Sequence, residues 1–285
     1  MSPGVRYMLL ATVFFSLMNI TVKLLPTIPA IEIVFFRSLI TLVMSYAFLA
    51  RKKVSIFGNN KKLLITRGIS GAISLILYFS TLQNIPLAGA VTLQYLAPIF
   101  TTLFGVFLVK ERVKLVQLLF FGISFGGILV IEGFDPRISL LYMLMGIGSA
   151  IFSGISYNII RKLSTSEDPL VIVFYFPLVT LPIVGFYSYF NWVQPVGIEW
   201  LLLLLVGLFT QGAQYFMTKS YQRENLSKVA NLNYLGIIYA LGLGYVFFDE
   251  SFNFMTYLGM AAVFVGVLLN VNFHYQKGRI KKAES

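Results

Sequence analysis

The chain contains no cysteine and a single histidine, His274. The first absence excludes disulfides, thiolate metal sites and a catalytic cysteine. One imidazole, at the end of the last apolar run, supports neither a metal cluster nor a Ser-His-Asp constellation, and His274 reads as an interfacial side chain. Charge is scarce too: 12 % of residues are charged and only 11 of 285 are acidic. No Asp or Glu falls in the middle third of any apolar run, so the usual proton-carrying intramembrane carboxylate is missing. No Walker-type glycine loop occurs, which leaves direct ATP drive unsupported. A membrane enzyme would need nucleophiles, acids or metals that this chain lacks, and neither an enzyme nor a cofactor is expected.

What the chain has in excess is apolar surface, 58 % of its residues. Apolar runs near twenty residues recur from end to end, each about long enough to cross a ~30 Å hydrocarbon layer. Ten are read at roughly 5–25, 31–50, 66–84, 87–109, 113–131, 138–161, 169–190, 199–219, 228–248 and 253–273. The first resembles a signal peptide but lacks a small-residue cleavage pattern. It also has a repeat partner at 138–161, so it is retained as a span. No connection is long enough for a soluble domain.

Shifted by 139 residues, the chain lies over itself without a gap. Ile33, Val34 and Phe35 fall on Ile172, Val173 and Phe174; Asn19 and Lys23 fall on Asn158 and Lys162. Gly68 meets Gly207, Gln83 meets Gln222, Tyr95 meets Tyr234, Gly105 meets Gly244 and Glu111 meets Glu250. Leu-on-Leu matches are cheap in so apolar a chain; Asn, Gln, Lys, Gly and Glu in one register are not. Residues 1–132 form a first repeat, 138–273 a second, and 274–285 a basic tail. Five spans each is an odd number, so the halves should insert in opposite directions.

The charge of +11 follows the same logic. Lys and Arg cluster in every second connection: Arg51, Lys52, Lys53, Lys61 and Lys62; Lys110, Arg112 and Lys114; Arg161 and Lys162; Lys219, Arg223 and Lys228. The tail adds Lys277, Arg279, Lys281 and Lys282. The alternate connections hold Glu32, Glu132, Asp135, Glu199, Asp249 and Glu250, with Arg137 their one clear base. Positive loops stay cytoplasmic, which places both termini inside a cell membrane crossed many times. The excess charge marks topology and affinity for anionic lipid, not nucleic acid. Opposed repeats commonly build secondary transporters, with the substrate between the halves near the midplane. A duplicated membrane scaffold or receptor is the alternative.

With that organisation the chain resembles the drug/metabolite transporter superfamily, in its EamA-type ten-helix form, from about Val5 to Phe273. The resemblance rests on the two five-span repeats and on three local patterns. These are Asn19 and Lys23 ending span one before Arg37 in span two, the run PLAGAVTLQYLAP from Pro86 to Pro98, and Lys110-Glu111 echoed by Asp249-Glu250. The resemblance implies an all-α membrane fold, ten transmembrane helices as two inverted repeats around a central cavity, with spans five and ten peripheral. It also implies export or exchange of amino acids, drugs, nucleotide derivatives or other small metabolites, with uptake of a nucleotide-like metabolite as a second reading. The partners are then a small-molecule substrate and the bilayer, and a homodimer stays open.

Polar side chains inside lipid-buried helices usually face a cavity or a neighbouring helix. An outer set comprises Asn19, Arg37, Tyr78, Gln94 and Tyr95; an inner set comprises Asn158, Tyr175, Gln214, Asn233 and Tyr234. Helix–helix hydrogen bonding is the bland role for the amides, and interfacial belts for the tyrosines. Arg37 lies about six residues into span two, roughly 9 Å from the external end. It is either a fork for a carboxylate or phosphate of the cargo or an ion-pair partner of Glu32 or Glu132. Tyr78, Tyr95 and Tyr234 would line the apolar part of such a cargo. Lys23 is expected to snorkel to the headgroups. Pro98 in span four, and Pro177 and Pro182 in span seven, favour kinks. The glycines late in each repeat (Gly105, Gly122, Gly126, Gly127, Gly242, Gly244, Gly259 and Gly266) should allow close helix packing.

The topology is directly testable. Cysteines introduced at Asn59 and Ser285 should resist an impermeant thiol reagent in intact cells, while one at Gly197 reacts. The opposite labelling pattern would reverse the orientation.

Overall fold

Hydrocarbon offers no partner to a backbone N–H or C=O, so a chain this apolar is driven to satisfy each group within a helix. The computed structural model describes residues 3–108, 115–163, 166–223, 232 and 235–283, and the regular structure among them is helical. In chain order the helices are α1 (Pro3–Lys23), α2 (Ala30–Lys52), α3 (Lys61–Asn84), α4 (Leu87–Gln94), α5 (Ala97–Leu108) and α6 (Leu115–Phe134). They continue with α7 (Leu140–Leu163), α8 (Pro169–Phe190), α9 (Glu199–Arg223), α10 (Leu235–Phe248) and α11 (Phe254–Ala283). Seven segments are long and apolar enough to cross a bilayer, and three shorter apolar helices occupy 119–131, 235–248 and 254–269. The described part of each of the ten apolar runs thus falls mainly on helix.

Local chemistry sets several boundaries. The Asn60 side chain accepts from Leu63 N at 3.1 Å and starts α3, and Asp168 caps α8 just ahead of Pro169. Helix α3 therefore begins five residues before the expected span, at Lys61. That shift carries Arg67 into the bundle instead of leaving it at the edge.

Span four is two helices, not one kinked one. Pro98 has no N–H to give the Gln94 carbonyl, and its ring crowds that carbonyl. Helix α4 accordingly ends at Gln94, Tyr95 and Leu96 form a turn, and α5 begins at Ala97. Pro177 and Pro182, by contrast, sit inside an unbroken α8.

Packing follows the duplication. Helix α1 lies along α9 and α3 along α7, and the 139-residue shift turns the first pair into the second. Helices α2 and α8 pack against each other, as do α6 and α11, and both pairs map onto themselves. The α6–α11 pair stands to the side of the main bundle. Its backbones nearly touch: a Cβ at Gly127 would lie 2.6 Å from the Gly259 carbonyl oxygen, and one at Gly259 would lie 2.7 Å from that of Gly127. Gly122, Gly126 and Gly242 have open space instead, so only part of the glycine set serves close packing.

Gly127→Ala should therefore lower stability by about 1–3 kcal/mol, as overpacking does. Gly122→Ala should change it by no more than about 0.5 kcal/mol. Denaturant unfolding in detergent measures both, and equal effects would refute the contact.

Candidate functional site

Two arginines meet at the centre of the bundle. Arg37 enters on α2, seven residues from its start, and is 4 % exposed. Arg67 enters on α3, six residues from its start, and is 8 % exposed. Both guanidiniums address the ring of Phe176 on α8: Arg37 Cζ lies 5.2 Å from its centroid and Arg67 Cζ 4.4 Å. The Nε of Arg37 donates to Thr210 Oγ1 on α9 at 3.0 Å. Arg37 Nη1 and Arg67 Nε and Nη1 have no hydrogen-bond partner. Among the described residues, neither arginine pairs with a carboxylate.

The space they share is walled by Thr41, Val173, Pro177, Gln211 and Gln214 as well, and its volume is only about 10 Å³. That is room for about one water. Pro177 lacks the N–H that the Val173 carbonyl would otherwise accept, so a helical acceptor is freed at this wall. Gln214 is thus in the same cavity as Arg37. The expected partner Glu32 is elsewhere: its Oε2 accepts from Val193 N at 3.0 Å. The side chain of Glu132 lies outside the described set.

The other expected residues fall into separate groups. Asn19 reaches the hydroxyl of Tyr78, and Tyr78 and Arg67 both couple electrostatically to Tyr157 on α7. Gln94, at the end of α4, accepts from Ser149 Oγ at 2.7 Å and donates to Ser153 Oγ at 2.9 Å. Ser74 of α3 joins those serines, so Gln94 sits in a polar seam across α3, α4 and α7. The Tyr95 hydroxyl, at the break in span four, packs directly over Gly236 of α10. Asn158 donates to the carbonyls of Thr101 and Gly154 at 2.8 and 2.9 Å, which ties α7 to α5. Tyr175 is buried with Leu49, Leu64, Ile159 and Leu163 in a satellite core. Asn233 and Tyr234 lie outside the described residues.

Lys23 does not snorkel. Its ammonium pairs with Glu250 at 2.6 Å and donates to the Ile85 carbonyl at 2.7 Å. Glu250 also accepts from Leu87 N, at 2.7 Å to Oε2. One carboxylate therefore neutralises a partly buried cation and caps the start of α4, joining the ends of α1, α4 and α10. This satisfies charges that the headgroups would otherwise have to reach.

Arg67, Phe176 and Thr210 carry the site and were not among the expected residues. The cap at Asn60 was the available signal for Arg67, since a helix starting there places Arg67 nearly two turns inside. Phe176 occupies the position of Arg37 in the repeat register, 139 residues on.

Two like helical halves around a charged, occluded centre are an arrangement common among secondary transporters. The EamA-like transporter family model matches residues 2–133 and 140–272, and the chain belongs to that family. It is 32% identical over 275 residues to the pseudopaline exporter CntI of Pseudomonas aeruginosa, covering 94% of this chain and 95% of the relative. Identity to solute carrier family 35 member G1 of Mus musculus is 27%, over 92% of this chain and 76% of that protein. The S-adenosylmethionine uptake transporter of Rickettsia felis is 24% identical over 99% and 96%. A protein of known crystal structure shares the fold at a TM-score of 0.68 and 20% identity, over 93% of this chain and 94% of its own. The chain is a membrane transporter, not an enzyme.

The Lys23–Glu250 pair yields a stability test. Glu250→Ala strands the Lys23 ammonium and the Leu87 N–H, and should cost about 3–5 kcal/mol. Adding Lys23→Met should recover part of that loss in a double-mutant cycle. Strictly additive losses in unfolding experiments would show that the two side chains do not interact.

Proposed function

We propose that this protein is a secondary transporter that moves a small organic metabolite bearing an anionic group, amino-acid-like or similar, by alternating access. Export or exchange across the cytoplasmic membrane is the favoured mode, in line with the exporter at 32% identity. One observation carries the reading: Arg37 is buried in a membrane helix, lines the cavity between the two halves, and has no carboxylate to neutralise it among the described residues. An intramembrane guanidinium is tolerated when it is paired or used. Its planar fork suits a carboxylate or phosphate.

Alternating access is supported by the way the ends of the molecule are tied. At one end Thr27 bonds Glu199, joining the α1–α2 turn to the start of α9. At the other, Asn59 Nδ2 donates to the Ser166 carbonyl at 2.8 Å and Asn60 N donates to Glu167 at 2.6 Å, joining the α7–α8 turn to the start of α3. Thr27 and Ser166 are repeat counterparts, and so are Asn60 and Glu199. Two opposed halves would have equivalent ties at opposite surfaces, which favours inverted insertion. Cytoplasmic termini are favoured by the alternating basic clusters. Arg137, the exception on the acidic side, is forked onto Asp135 at 2.9 Å through both Nε and Nη2. That carboxylate cancels its charge, and its hydrogen bonds raise the Arg137 pKa further above the usual value.

Purified protein in liposomes, challenged with a panel of organic acids, organic cations and neutral solutes, tests this reading. Acids should be the preferred cargo. Arg37→Lys should lower their transport about ten-fold and Arg37→Gln up to about a hundred-fold, the range for losing hydrogen bonds to a charged group. Normal acid transport by both variants, or preference for cations, would refute it.

A further inference from the structure

Arg37 accounts for one acid group, and Arg67 is left over. The two guanidinium carbons stand 5.2 and 4.4 Å from one ring centroid, so they are no farther apart than those distances laid end to end. Both side chains are more than nine-tenths buried, and three of their nitrogens have no partner. Two like charges so placed repel, and each is attracted to any anion that enters. A single carboxylate would compensate one guanidinium and leave the other buried and unmatched. Two carboxylates on one short body would compensate both.

We infer that the site takes a di-acid, a solute whose two carboxylates are a few bonds apart, one forked by Arg37 and the other by Arg67. This rests on the anion-binding role proposed for Arg37 and narrows its cargo. Phe176 decides between separated acid groups and one doubly charged group. Its ring gives each guanidinium its own cation–π contact, and the two arrive on different helices, α2 and α3, which favours separated acid groups over a single phosphate. The linker of a di-acid would lie against the ring, with one acid group at each guanidinium. At about 10 Å³ the cavity is too small for such a solute, so its walls have to open on binding. Gln211 and Gln214 in the same wall supply amide groups for the rest of the cargo.

The test uses the full chain in lipid nanodiscs, at fixed ionic strength, with binding read from thermal stabilisation. Succinate, glutarate and adipate are compared with butyrate and valerate, and with inorganic phosphate and glycerol 3-phosphate. At least one dicarboxylate should bind about ten-fold more tightly than the monocarboxylates. Arg67→Gln should abolish that advantage while leaving monocarboxylate binding in place, and Arg37→Gln should weaken both classes. The wild-type comparison needs no variant, and Arg67→Lys provides a charge-retaining check if Arg67→Gln does not fold. Equal binding of mono- and dicarboxylates, equal binding of a phosphate ester, or a dicarboxylate preference that survives Arg67→Gln would overturn the di-acid assignment. If monocarboxylates still bind through Arg37 in those cases, the anion reading stands; if no acid binds and cations are carried, both readings fall.

Discussion

The centre of this protein is governed by the cost of holding two guanidiniums inside a membrane bundle where, among the described residues, no carboxylate pairs with them. Insertion of one arginine at the middle of a membrane helix costs about 2.5–3.5 kcal/mol even on permissive scales. A cation–π contact returns about 0.5–2 kcal/mol, and the Arg37–Thr210 hydrogen bond about 1.5–3 kcal/mol. Arg37 is thus close to balance, while Arg67 has the ring contact and two nitrogens without a partner. The packing around them is arranged to allow even this much. Gly71 of α3 has no Cβ, and one placed there would lie 2.6 Å from the Phe176 ring. Helices α2, α3 and α8 can therefore close on that ring, and the uncompensated charge is concentrated where the two halves meet.

Much of this arrangement was legible from residue spacing. Apolar run length located the helices, because hydrocarbon leaves the backbone few alternatives. The 139-residue register anticipated which helices would pack alike, and Arg37 stood out as a charge too deep for the surface. What stayed hidden depended on a few residues or on distant contacts. The break after Gln94 follows from Pro98, but a proline in a membrane helix is equally compatible with a kink, as the unbroken α8 illustrates. Arg67 was missed because its helix begins at a polar cap, before the apolar run that marks the span. Lys23 was read as a snorkelling side chain because its partner, Glu250, is more than two hundred residues away. Gln94 and Asn158 were recognisable as intramembrane amides, but the serine seam and the backbone carbonyls they meet lie on other helices.

The two halves have kept and lost their likeness in different places. Near the ends of the spans the chemistry is retained: Lys23 and Lys162 correspond, as do Glu111 and Glu250, and Thr27 and Ser166. Near the centre it has diverged. Arg37 faces Phe176 across α2 and α8, one of the two helix pairs that map onto themselves, Thr210 corresponds to Gly71, and Ser74 to Ala213. Under alternating access this division has a physical basis. Each end would be sealed once per cycle, so halves inserted in opposite directions would benefit from similar closing contacts. The proposed cargo is one solute, bound once between the halves. A symmetric centre would offer it either two rings or two arginines at the Arg37 position, losing the charge in one case and the aromatic contact in the other. Keeping the guanidinium on α2 and the ring on α8 provides both at one position of the fold, and the second charge is then supplied from α3.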